Sequence, residues 1–187
     1  MRALLPDPVI LSEPDTIVGR PLSNSCGVPT KASVLRHLPG CPVAHFACHG
    51  ASHPSDPSRS LLLLHDHDRD PLTVASLAPV NLDEAQLAFL SACRTAFTGT
   101  AELIDEAIHL TTAFQLAGFP HVIGTLWEIN DKLAVDVADT FYTSLHTSSG
   151  TLDTSQAARS LHYAVRALRD KFPQTPSLWA AYLHAGA

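Results

Sequence analysis

From residue 43 onward, short apolar runs alternate with longer segments whose apolar side chains recur every 3.6 residues, and this alternation restricts the fold more than any other feature. The short runs are residues 43–48, 61–64, 87–92 and 122–127, with 179–183 as a last strand candidate. The periodic segments are three. In 102–118 the stripe is Leu103, Ala107, Leu110, Phe114 and Ala117, stopped by Gly118. In 131–146 it is Ala134, Ala138, Phe141 and Leu145, and in 154–172 it is Leu161, Val165, Leu168 and Phe172, stopped by Pro173. Parallel strands need crossovers of about a dozen residues or more, which helices of this length supply. The expectation is an α/β three-layer sandwich, with a mainly parallel sheet of about five or six strands flanked by helices. Shorter helices are expected at 31–38 and 72–77.

The leading part reads differently. Seven of the 14 prolines fall at or before Pro42, so this segment is expected to be irregular, with one short strand at 9–11 or 16–18. A length of 187 residues is that of a single domain. Its expected division is an irregular, proline-rich 1–29 and a folded domain over 30–187.

Composition excludes several classes. Apolar residues make up 45% and charged residues 16%, against about 25% charged in ordinary soluble domains. A chain this apolar can bury enough surface to fold, and its sparse polar exterior suits packing against something else. A net charge of −6 with 12 Lys+Arg argues against a nucleic-acid surface and against an anionic membrane. No run reaches the roughly 18 apolar residues of a membrane span, and residues 1–11, broken by Pro6, Asp7 and Pro8, resemble neither a signal nor a transit peptide. Cys26, Cys41, Cys48 and Cys93 show no C-x-x-C pairing, so a cytoplasmic protein with reduced thiols is expected.

The chemistry is expected at the carboxyl ends of the strands, where open α/β sheets bind ligands. His49 closes the run 45–50 and Cys93 closes 87–93. If those strands are neighbours, the two side chains meet at one sheet edge. A cysteine hydrolase needs that pairing, because a free thiol is only a few per cent ionised at pH 7 and an adjacent imidazole activates it. Gly50 lets backbone approach a substrate carbonyl, where its N–H can help to hold an oxyanion. Caspases carry Q-A-C-[RQG]-G about 50 residues after their histidine. This chain has S-A-C-R-T, with Cys93 44 residues after His49, Ser91 in place of the glutamine and Thr95 in place of the glycine.

The wider sequence resembles the CHAT domain, a caspase-like family of clan CD cysteine peptidases often fused to tetratricopeptide repeats. The matching pieces are HFACHG (45–50), LLLLHD (61–66), LAFLSACRT (87–95), DEAIHLTTAFQLAGFPHVIGTLWEIND (105–131), FYTSL (141–145) and LWAAYLHAG (178–186), in family order. The resemblance implies a caspase-like fold, with His49 as general base, Cys93 as nucleophile, and an oxyanion hole from the N–H groups of Gly50 and Cys93. It implies a regulated endopeptidase acting on a protein or peptide substrate without a cofactor, and a tetratricopeptide-repeat or other regulatory partner. Family members usually carry more chain ahead of this region, including a first sheet strand, so a shortened leading portion is also expected. The competing class is a catalytically silent CHAT-fold interaction module of a larger repeat-protein system.

Other candidates are weighed beside these. Cys48 reads as a core residue, and Cys26 and Cys41 carry no motif. Eleven histidines raise a metal hypothesis, yet His45 and His49 on a strand would share a face far apart. His65, Asp66, His67, Asp68 and Asp70 read as a solvated turn rather than a ligand set, so no metal is expected. Trp127, Glu128 and Asp131 follow the strand after the nucleophile and are candidate substrate-binding residues. An acidic side chain there could select a basic substrate residue, although Asp131 also suits a helix cap. Asp105 and Glu106 complement the dipole of the 102–118 helix.

Overall fold

Four strands make the main sheet: β1 (Val43–Phe46), β5 (Leu87–Leu90), β6 (His121–Thr125) and β7 (Tyr182–Gly186), in the order β1-β5-β6-β7. The computed structural model describes residues 27–51, 53, 55–80, 82–91, 103–127 and 129–186, with 57 and 103–109 described in backbone only. The strand expected at 9–11 or 16–18 lies outside the described residues, as do Cys26, Cys93 and Glu128 and the side chains of Asp105 and Glu106. β1 and β5 pair in parallel, as do β5 and β6, whereas β7 runs antiparallel to β6. The expected mainly parallel sheet is therefore present, with four strands among the described residues rather than the five or six expected.

β5 explains the layering. All four of its residues are buried, with Leu87 and Phe89 facing one side and Ala88 and Leu90 the other. The first side packs on α4 (Asp131–Leu145) and α5 (Ala157–Lys171) through Val137, Phe141, Leu145, Leu161 and Leu168. The second packs on α1 (Lys31–His37) and α3 (Leu103–Leu116) through Val34, Leu110 and Phe114. A strand buried on both faces reads as a continuous apolar run rather than an alternation. This is a three-layer α/β sandwich. The stripes expected on the helices hold at Leu110, Phe114, Ala117, Ala138, Phe141, Leu145, Leu161 and Leu168. Phe172 is instead exposed, because α5 stops at Lys171 and Phe172 leaves the helix.

The second apolar run was expected as a strand of the same sheet and is not one. β2 (His49–Ala51), β3 (Leu61–Leu63) and β4 (Leu72–Thr73) form a separate antiparallel sheet. The linkers 52–60 and 64–71 are too short for crossovers, so each strand turns back on its predecessor. The run at 43–48 likewise splits, since β1 stops at Phe46 and His49 starts β2. The 72–77 segment opens as β4 and becomes helical only at α2 (Val74–Leu77). The last strand begins at Tyr182 rather than 179, because a short 3-10 turn at Pro176–Leu178 and a further turn come first.

Helix starts are well specified. Thr30 and Ser33 bond reciprocally at the head of α1, and Thr73 and Ser76 do the same at α2. The Asp66 carboxylate accepts from the Lys31 backbone N–H at 3.0 Å, and Asp70 pairs with the Lys31 ammonium at 2.7 Å. The acidic turn at 65–70 thus serves the N-terminus of α1. Among the described residues, no group of three or more His, Cys, Asp or Glu is gathered to hold a metal. Also among them, no helix is long and apolar enough to cross a membrane.

Candidate active site

Because β1 and β5 are parallel neighbours, their carboxyl ends open on the same edge. The Ser91 N–H donates to the Phe46 carbonyl at 3.0 Å, just past the last paired residues of the two strands. Beyond this link Ala47 and Cys48 carry the chain out of the main sheet into β2, which opens on His49. His49 is exposed and Gly50 is buried, the two lying opposite Leu63 and Leu62 of β3. The second sheet therefore holds the backbone of both residues just outside the edge where β5 ends.

A cleft of about 340 Å³ lies at that edge. One side is made by His45, Ala47, Cys48 and His49, and Ser91 contributes from the end of β5. The opposite side is Ile129 with Asp131, Ala134, Val135 and Ala138 of α4. Small side chains at 134 and 138 leave this space open, and Val135 stands 64% exposed. Cys93, two residues beyond Ser91, and Glu128 lie outside the described residues. Trp127 is half-buried and donates its indole N–H to the Ser177 carbonyl at 2.8 Å, and it is not among the cleft residues.

The start of α4 differs from expectation in one respect. Asn130, not Asp131, is the cap: its side-chain oxygen accepts from the N–H groups of Lys132 at 3.0 Å and Leu133 at 3.4 Å. Asp131 is consequently the first helical residue, its carboxylate released from capping and exposed beside the cleft.

A polar chain that sequence reasoning missed borders this site, with His45 and Ser91 half-buried at the cleft and Tyr142 fully buried behind them. The ring of His45 stacks on Phe89 with centroids 4.7 Å apart. Its Nδ1 is 3.0 Å from the Tyr142 hydroxyl and its Nε2 is 2.9 Å from Ser91 Oγ. In one tautomer Nε2–H donates to Ser91 and Nδ1 accepts from Tyr142; in the other both bonds reverse. Burial pushes the His45 pKa down to about 4, so the ring is neutral at pH 7. The available signal was the alternation of β1, which places a polar side chain at 45 on a face that packs in the core. Such a group needs a partner, but the partners lie 46 and 97 residues away.

The nearby thiol has the opposite property to a nucleophile. Cys48 packs against the core, and burial pushes its pKa up to about 12. At neutral pH it is a protonated, inert thiol. Cys41 is also raised by burial, and its Sγ is 3.2 Å from the His37 carbonyl.

The sequence matches the family description "CHAT domain" over residues 11–187. A comparison with curated proteins finds no match.

Proposed function

The chain belongs to the CHAT domain family, and from that premise we propose that it is a caspase-like cysteine endopeptidase working through His49 and Cys93. One observation carries the reading. His49 and the end of β5, two residues short of Cys93, border one cleft at the carboxyl edge of two parallel strands. That is where α/β sheets perform chemistry.

In this mechanism His49 takes the proton from the Cys93 thiol, and the thiolate attacks the scissile carbonyl carbon. The N–H groups of Gly50 and Cys93 receive the oxyanion. Collapse of the tetrahedral intermediate breaks the C–N bond, and His49 returns the proton to the leaving amine. Water, deprotonated by His49, then attacks the thioester and releases the acid and the free thiol. The substrate is a protein or peptide segment lying across the cleft. On the α4 side it meets, among the described residues, an apolar surface bearing the Asp131 carboxylate, which suits a side chain with an aliphatic stem and a positive end. A tetratricopeptide-repeat or similar partner would regulate access.

The test is labelling with iodoacetamide and a peptidyl chloromethyl ketone, followed by peptide mapping. Rapid modification at Cys93, lost in Cys93→Ala and strongly slowed in His49→Ala, is the expected result. Equal labelling of all three proteins would leave the catalytically silent interaction module as the better reading.

A further inference from the structure

We propose that His45 is a positioning residue for the end of β5, holding Ser91, two residues before Cys93 in sequence, against α4. This rests on the peptidase reading above. His45 borders the cleft together with Ser91, while Tyr142 approaches it from the fourth turn of α4. The three side chains therefore connect three of the elements that border the site: β1, the exit of β5, and the helix whose N-terminal half forms the far side.

The chemistry distinguishes this from simple packing. The ring of His45 meets Phe89 and Tyr142, where an aromatic hydrocarbon of the same shape would fit without desolvating two ring nitrogens. The imidazole is used instead, with both nitrogens satisfied. Because the Tyr142 hydroxyl is fully buried, arrangements that separate it from His45 leave that hydroxyl without its partner, so the bonded chain favours one placement of its elements. Both nitrogens being committed also removes His45 from acid–base duty. Its effect on chemistry runs through Ser91, whose backbone N–H is fixed to Phe46 and whose hydroxyl is fixed to His45. The strand end is thus held by two bonds of different direction at one residue.

The experiment uses the full chain and compares wild type with His45→Phe, His45→Gln, Ser91→Ala and Tyr142→Phe. The readouts are the iodoacetamide rate at Cys93 against pH, and kcat and KM on a peptide that wild type cleaves. Misplacing a reacting group by about 1 Å lowers a rate by about 10²-fold, so His45→Phe is expected to lower kcat on that scale with KM little changed. The plateau of the alkylation profile should fall while its midpoint stays. Glutamine can place an amide near the former Nε2, so His45→Gln should recover part of the rate. Ser91→Ala and Tyr142→Phe each remove one bond with little change of shape and should give smaller losses. A folded His45→Phe protein with wild-type kcat overturns the proposal, as does a Ser91→Ala and Tyr142→Phe pair that both match wild type. Were wild-type Cys93 itself no more reactive than glutathione, the peptidase reading and this proposal would fail together. A fast wild type with an equally fast His45→Phe fails this proposal alone.

Discussion

His45 and His49 stand four residues apart and border the same cleft, yet their surroundings give them different chemistry. His45 is enclosed by Phe89 and Tyr142, bonded at both nitrogens, and held neutral by burial. His49 is itself exposed and opens a strand whose backbone is paired to β3. An imidazole can exchange protons with a substrate only if one nitrogen reaches it and both protonation states are accessible. The strand break at Ala47 and Cys48 creates the difference, because it moves the second histidine out of the sheet. Cys48 repeats the lesson for sulfur: it borders the cleft, but burial keeps it protonated.

The largest expected effect that would break this contrast is on catalysis. His49→Ala should lower kcat/KM by about 10²- to 10⁴-fold in a peptide-cleavage assay. The same substitution should leave urea-unfolding stability within about 0.5 kcal/mol, since the residue is exposed. A His49→Ala protein that is fully active but destabilised would invert the two histidines' roles.

His45 should show itself in the pH dependence of stability. Its folded pKa of about 4 lies below the unfolded value of 6.5, so between these limits the unfolded chain binds the proton first. Stability should therefore fall as pH drops from about 6.5 to about 4, by on the order of 3 kcal/mol from this group at the acid end. His184, lowered by burial and by neighbouring His121, pushes in the same direction. The relevant measurement is consequently the difference in slope between wild type and His45→Phe in urea unfolding at several pH values. The same slope in both would remove His45 as its source.

A smaller effect belongs to the far side of the cleft. Asp131→Asn should reduce cleavage of peptides with Lys or Arg before the scissile bond by about fivefold, as for a surface ion pair, and leave a norleucine peptide unchanged. Equal effects on both peptides would remove charge selection from that wall. The smallest expected signal is at Cys48, where native protein at pH 7.5 should take up almost no iodoacetamide until urea unfolds it. Native labelling of Cys48 at the rate of a free thiol would contradict its burial.

The parts that were legible from sequence are those whose periodicity is long. α3, α4 and α5 each show several turns of one stripe, and β5 and β6 are apolar runs flanked by clear stops. The hairpin sheet was hidden because strands of two or three residues have no period to read, and a run such as 61–64 says nothing about which sheet it joins. Likewise, Asn130 and Asp131 are adjacent cap formers, and only the backbone decides which one lies outside the helix. At the site, the motif HFACHG singled out His49 and Gly50, and SACRT singled out Cys93. It did not reveal that the first histidine of HFACHG bonds a serine in SACRT and a tyrosine in FYTSL. Those bonds exist only after β1, β5 and α4 have packed together.

Helix α4 has a division of labour around its axis. Val137, Phe141 and Leu145 are sealed in the core, whereas Asp131 and Val135 face outward at the cleft. Exchanging the outward residues removes little buried surface, so a lineage or an engineer can redraw what the groove accepts without weakening the scaffold. Diversification of preference is therefore inexpensive here, and its raw material is a few exposed positions on one helix.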